Sequence, residues 1–304
     1  MDESELRDFL YGLSPEDLLL GFSAPGGMYR APALYLDGHV LPARPLLETL
    51  ADPAAVANVP VISGSNRDEA KLFMAVNGIY VVRHWGVMFE IRDLEVYEGV
   101  ASLLSDHWRL TGVDQPLDAL AAAHPGQQYA YRFDWDESGS GRIADMPTLM
   151  GAAHGFELPF VFGDFSDLWG IPLLFPEEYE AGRLELSAAM MDYWSHFAYT
   201  GSPDTGRVRQ QPPWPGWDVS TGRALRLDTP AGGGIEPLEL RLDLADLHER
   251  FVGLQERIPE AARCGLYAYL FWKTAEWEPA RFEGLEPYCR GKTASDLAAD
   301  PFGE

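Results

Sequence analysis

Two short segments of this 304-residue chain carry side chains suited to acid–base chemistry: Ser65-Asn66-Arg67-Asp68-Glu69, and His154-Gly155. A histidine titrates close to neutral pH and can take and return a proton, while a carboxylate beside it can fix its tautomer and stabilise the imidazolium. Each segment also has a purely architectural explanation. Asn66 and Glu69 stand at the spacing of a helix capping box, and carboxylates sit favourably in a first helical turn. A lone histidine before glycine is commonly a turn or core residue held by hydrogen bonds. Adjacent helical residues point about 100° apart, so Asp68 and Glu69 cannot both face one histidine. The residue types alone leave that choice open.

Both segments lie where an α/β sheet places its active site, in loops that follow strands. VPVISGSN, with its β-branched run from Val59 to Ile62, predicts a strand closing on Gly64, and RDEAKLFMAV predicts a helix after it. The helical DLEVYEGVASLLSDHWRL and DALAAAHPG precede a strand from Gln127, in which Tyr129, Tyr131 and Phe133 alternate. A polar, glycine-rich loop from Asp136 to Pro147 leads to the histidine. Strands separated by helical stretches predict a parallel, doubly wound sheet. Upstream, SPEDLLL predicts a helix capped by Ser14 with Pro15 at its first position. Downstream, Leu186, Met190, Tyr193 and Phe197 mark one face of a long helix that stops at Gly201. A Trp- and Pro-rich loop, a short strand at ALRLD and a late helical segment, LADLHERFVGLQERIPEAA, follow. The expected organisation is one domain over residues 1–290 and a polar tail over 291–304.

Composition narrows the function. The 46% of hydrophobic residues supports a packed core, and a formal net charge of -24 disfavours nucleic-acid and anionic-lipid surfaces as partners. No run reaches the roughly 18 to 20 apolar residues that cross a bilayer. MDESELRDFL is charged and lacks the apolar core of a secretory signal, so as written it assigns no compartment. Cys264 and Cys289 are compatible with a disulfide or with two thiols. There is no His-Glu-x-x-His, no Cys-x-x-Cys and no glycine-rich phosphate loop after a strand, so neither metal nor cofactor is expected. Trp85, Phe89, Phe160 and Phe162 could line an acyl or alcohol pocket.

Five motifs in order resemble the type-B carboxylesterase and cholinesterase family, over about residues 30–230. LYLDGHVLPARP resembles its Asp-Gly-x-x-Leu-Pro segment. VPVISGSNRDEAKLFM is similar to the strand and turn that carry the triad acid, and GAAHGFELPFVFG to the histidine segment. MMDYWSHFAYTGSPD and PPWPGWD resemble the helix, turn and Trp-Pro loop that come next. The resemblance implies an α/β-hydrolase fold and makes Glu69 the triad acid, His154 the general base and Asp68 structural. It also implies a small carboxylic ester as substrate.

The departure from the family is equally specific. No serine here has glycine two positions before and two after it, as the strained G-x-S-x-G elbow requires; GFSAPG around Ser23 and SGSGR around Ser140 have the wrong spacing. Gly232, Gly233 and Gly234 follow the histidine and predict a turn rather than an oxyanion loop. In the family the elbow precedes the acid. The expectation is therefore the C-terminal portion of a doubly wound, mainly parallel sheet with the N-terminal half absent, inactive alone and needing an N-terminal companion segment that carries the nucleophile. Two alternatives remain: a non-catalytic cholinesterase-like domain serving binding or adhesion, and a truncated, inactive fragment. Retention of both Glu69 and His154 argues against the first.

Overall fold

The computed structural model describes residues 2–22, 35–142, 144–166, 173–285, 289 and 291–298. Ser23 and the start of LYLDGHVLP lie outside these residues. The chain divides into two units, Met1–Pro45 and Leu46–Gly303.

In the first unit, α1 (Glu3–Gly12) opens on a reciprocal capping box: the Glu5 N–H donates to Asp2 and the Asp2 N–H to Glu5, each at 2.9 Å. α2 (Pro15–Leu20) begins at the predicted proline, with the Asp17 N–H donating to the Ser14 hydroxyl, and ends at Gly21. Asp37 then collects the backbone N–H groups of His39, Val40 and Leu41 into a turn.

In the second unit, α3 (Leu46–Leu50) leads into β1 (Val61–Asn66). The helix expected over RDEAKLFMAV is reduced to a single turn, α4 (Lys71–Met74). The Arg67 and Asp68 N–H groups donate to the Phe133 and Ala152 carbonyls, which holds the chain against neighbouring loops before it can coil. β2 (Val81–His84) and β3 (Met88–Ile91) pair as an antiparallel hairpin. Its turn residues, Trp85 and Gly86, have φ of +49° and +78°. Two left-handed residues are what a tight hairpin needs, but a tryptophan in the first hides the usual Asn-Gly signal.

α5 (Leu94–Arg109), capped by Asp93, runs through a π-helical turn at Leu110–Asp114 into α6 (Gln115–Ala123). β4 (Gln128–Phe133) lies parallel to β1, with Val61 opposite Gln128 and Asn66 opposite Phe133. Three helices follow: α7 (Met146–Met150), α8 (Leu158–Phe162) and the 21-residue α9 (Glu180–Thr200), which terminates at Gly201 with φ +79°. β5 (Arg223–Leu227) is parallel to β4, and β6 (Glu236–Glu239) closes the edge antiparallel to β5. The sheet order is β1-β4-β5-β6. This is the mainly parallel α/β arrangement expected from alternating strands and helices. α10 (Leu244–Leu254), α11 (Glu260–Phe271), α12 (Pro279–Leu285) and α13 (Ala294–Ala298) complete the described chain.

The end of β4 feeds the core. Phe133, Trp135, Phe156 and Phe160 are fully buried, with Phe133 and Phe160 edge to face at 5.0 Å and Trp135 and Phe160 at 5.1 Å. Each such side chain contributes on the order of 2 kcal/mol by leaving water, which anchors the strand end from which the histidine loop departs. Gly64 faces Tyr131 across the β1–β4 register, and a Cβ at residue 64 would lie 2.3 Å from the tyrosine ring. The ring occupies the space that glycine leaves open.

Cys264 in α11 and Cys289 form a disulfide with their Cα atoms 5.7 Å apart. Of the two states left open by the sequence, the structure holds the oxidised one. Closing a loop of 25 residues restricts the unfolded chain by about 3 kcal/mol. Thermal unfolding with and without a thiol reductant is expected to show a loss of that order, and Cys289→Ser should reproduce it.

Candidate active site

Glu69 and His154 come together at the carboxyl edge of the parallel strands. β1 ends at Asn66, and Glu69 follows three residues later. His154 arrives from the loop between α7 and α8. Its Nδ1 lies 2.7 Å from Glu69 Oε2. Glu69 is 5% exposed, whereas 44% of the histidine side chain faces out. The other Glu69 oxygen, Oε1, accepts the Asn66 backbone N–H at 2.8 Å.

Both Glu69 oxygens are thus held by donors, which is the arrangement of an ionised carboxylate. The proton between Glu69 and His154 must then sit on Nδ1, which leaves the Nε2 lone pair outward. Among the described residues Nε2 makes no hydrogen bond. The Glu69 hydrogen bond raises the histidine pKa above its ordinary 6.5; burial opposes this, and the charges of Glu69 and Glu157 add to the rise. A raised folded-state pKa means that the charged pair stabilises the fold most fully below about pH 6.5, and that this contribution fades as pH rises through the folded value. His154→Gln is therefore expected to lower Tm more at about pH 6 than at about pH 8.5, by a modest amount because the imidazole is half exposed.

Asn66 realises only half of the capping box suggested by its spacing. Its backbone N–H binds Glu69, but its side-chain amide donates to the Ala153 carbonyl at 2.7 Å and to Glu157 Oε2 at 2.5 Å. Asp68 turns away from the histidine. Its carboxylate accepts from Arg67 Nε at 2.9 Å and from the Ala152 N–H at 3.1 Å. Arg67 reaches on to Asp136 at 2.6 Å.

Two rings flank the imidazole: Trp108 of α5, with centroids 5.1 Å apart, and Phe73 of α4, at 5.8 Å. The two also stack on each other at 6.2 Å. Phe73 stands four residues after Glu69, a spacing that would place it on the same helical face; nothing in the local sequence marks Trp108. The four aromatics suggested for a pocket are not gathered. Phe160 is fully buried in the core, Phe162 is 75% exposed, and Trp85 is 86% exposed at the hairpin tip. Phe89, on β3, packs beneath Arg83 of β2. No group of three or more metal-ligating side chains occurs among the described residues, and among them no helix is long and apolar enough to cross a membrane. The Gly232–Gly234 segment is a turn whose three N–H groups donate to the Thr229 carbonyl.

A profile of the carboxylesterase family matches residues 89–240, half of the chain. The chain is 29% identical to para-nitrobenzyl esterase of Bacillus subtilis over 248 residues, covering 75% of this chain and 47% of the relative. It is 27% identical to bile salt-activated lipase of Bos taurus over 279 residues, or 79% of this chain and 45% of the relative. Acetylcholinesterase of Gallus gallus is 35% identical over 134 residues, 43% of this chain and 15% of the relative. The chain thus spans less than half the length of these curated relatives. Among solved structures, a PNB esterase superposes with a TM-score of 0.52 at 24% identity, over 82% of this chain and 50% of the other. The carboxylesterase of Geobacillus stearothermophilus gives 0.52 at 22%, over 80% and 50%. Both likenesses concern the fold, a partial α/β-hydrolase. With half of its length matched by the family profile, the chain belongs to the carboxylesterase family.

Proposed function

We propose that this chain supplies the acid–base half of a serine ester-hydrolase centre, with His154 as general base and Glu69 as the residue that orients it. The observation that carries the reading is the 2.7 Å contact between Nδ1 and a buried carboxylate, made by a half-exposed imidazole whose Nε2 makes no hydrogen bond among the described residues. A serine hydroxyl placed at Nε2 would give up its proton as its oxygen attacks the ester carbonyl carbon. The imidazolium, stabilised by Glu69, would return that proton to the departing alkoxide and release the alcohol. Water would repeat the cycle on the acyl-enzyme and release the carboxylic acid.

No serine of the 304 residues stands in a G-x-S-x-G elbow. We therefore place the nucleophile and the oxyanion donors on a companion segment outside this sequence, with small carboxylic esters as substrates. Alone, the chain would hold a poised base with nothing to activate. Co-expressed with the N-terminal portion of para-nitrobenzyl esterase as companion, it is expected to yield a complex that a fluorophosphonate labels and that hydrolyses p-nitrophenyl acetate. A folded, assembled complex that does neither would sink the reading.

A further inference from the structure

We propose that Asp68 is a positioning residue that docks the histidine loop onto the Glu69 segment and thereby sets the separation of the two side chains. This rests on reading His154 and Glu69 as an acid–base pair. The contact is reciprocal: the Asp68 N–H donates to the Ala152 carbonyl at 3.1 Å, and the Ala152 N–H donates back to Asp68 Oδ2 at 3.1 Å. Ala152 is two residues before His154, and Asp68 is the residue before Glu69. Two segments 84 positions apart are thus joined immediately beside the functional pair, through atoms that the pair itself does not use.

The fit is steric as well as polar. Gly151 has φ +53°, and a Cβ there would lie 2.4 Å from Asp68 Oδ2. Only a residue without a side chain lets the loop approach the carboxylate this closely. The carboxylate is itself held from the other side by Arg67 Nε at 2.9 Å and by the buried Lys71 Nζ at 3.6 Å. Lys71 also binds Glu98 of α5 at 2.9 Å. The two cations hold Asp68 in place on the side facing away from the loop, so its carboxylate stays aimed at the Ala152 N–H. The neighbouring carboxylates thus divide the work: Glu69 faces the imidazole, and Asp68 holds the loop that presents it. A displacement of about 1 Å in such a pair is enough to cost on the order of 100-fold in rate.

The test uses the 304-residue chain with labelled histidine, following by NMR the His154 ring titration and the exchange of its Nδ1 proton. Glu69→Gln is the reference and is expected to lower the His154 pKa; if it does not, the acid–base reading fails and this proposal with it. With that reference in place, Asp68→Ala is expected to lower the pKa in the same direction and to speed Nδ1–H exchange by at least about tenfold. Asp68→Asn keeps an oxygen for the Ala152 N–H and should restore most of the wild-type behaviour. A folded Asp68→Ala chain with lower Tm but wild-type titration and exchange would reduce Asp68 to a structural role and overturn the proposal. Should that variant not fold, the wild-type chain decides. The Ala152 N–H and the His154 Nδ1–H should exchange through one shared opening, whereas Ala152 opening about tenfold more often than His154 would overturn the docking role.

Discussion

If the proposed companion complex forms, substituting glutamine for Glu69 is expected to slow its fluorophosphonate labelling by about 10³- to 10⁴-fold, the range associated with losing the carboxylate of a hydrolase triad. The substitution is nearly isosteric, so the loss comes from donor and acceptor counting. Two donors point at the Glu69 head group: the Asn66 N–H on one oxygen and His154 Nδ1 on the other. A carboxylate accepts both. An amide has one oxygen and one NH₂, so whichever way it turns, a donor meets a donor. If the oxygen stays with Asn66, the NH₂ faces Nδ1 and selects the tautomer with its proton on Nε2, where it blocks attack. If it faces His154, the buried Asn66 N–H is left unpaired, at a cost of about 1–3 kcal/mol. Stopped-flow labelling compared with the wild type measures the effect. A loss below about tenfold would mean that the carboxylate does not set the tautomer.

The second large effect lies away from the pair. Asp228→Asn is expected to stabilise the fold at pH 8 by up to about 4 kcal/mol, and to leave it nearly unchanged near pH 3. Asp228, at the end of β5, is 4% exposed. Burial pushes its carboxyl up to about 7 against the help of the Thr229 N–H, and the charges of Glu137, Asp134 and Asp136 push the same way. A folded-state pKa raised above 3.8 means that the native state holds a proton which the unfolded chain has released. Stability is then greatest below about pH 3.8, declines as pH rises toward about 7, and is flat above. Asparagine can still accept the 2.8 Å bond from Thr229 and carries no charge to bury. Urea unfolding at several pH values gives the result directly. Parallel stability curves for the two chains from pH 4 to 8 would show that this carboxyl is ionised throughout.

Local signals made much of the fold legible in the sequence. Asp93 caps α5, Gly201 stops α9, and the alternation in QYAYRF marks β4, because each depends on residues within a few positions of one another. The β2–β3 hairpin escaped because its turn places a tryptophan where glycine or asparagine is usual. At the site, the spacing of Asn66 and Glu69 pointed to a capping box. The same spacing is used for one backbone bond only, and the Asn66 side chain is spent on Ala153 and Glu157, about ninety positions away. The ring pair of Phe73 and Trp108 and the Asp68–Ala152 contact are likewise products of tertiary packing. The i, i+4 spacing hints at Phe73, but local periodicity carries no record of Trp108 or of the Asp68–Ala152 contact.

The space shared by Gly64 and Tyr131 bears on how related chains can vary. The tyrosine ring stands where a side chain at 64 would have to go, and it is itself braced edge-on by Trp194 at 5.3 Å. Neither position can change freely alone: a methyl group at 64 displaces the ring, and a small residue at 131 exposes the glycine backbone of the edge strand. Homologous sequences should therefore couple the two sites. An alanine or serine at position 64 is expected to travel with loss of the aromatic ring at 131, a covariation that an alignment of close homologues would reveal.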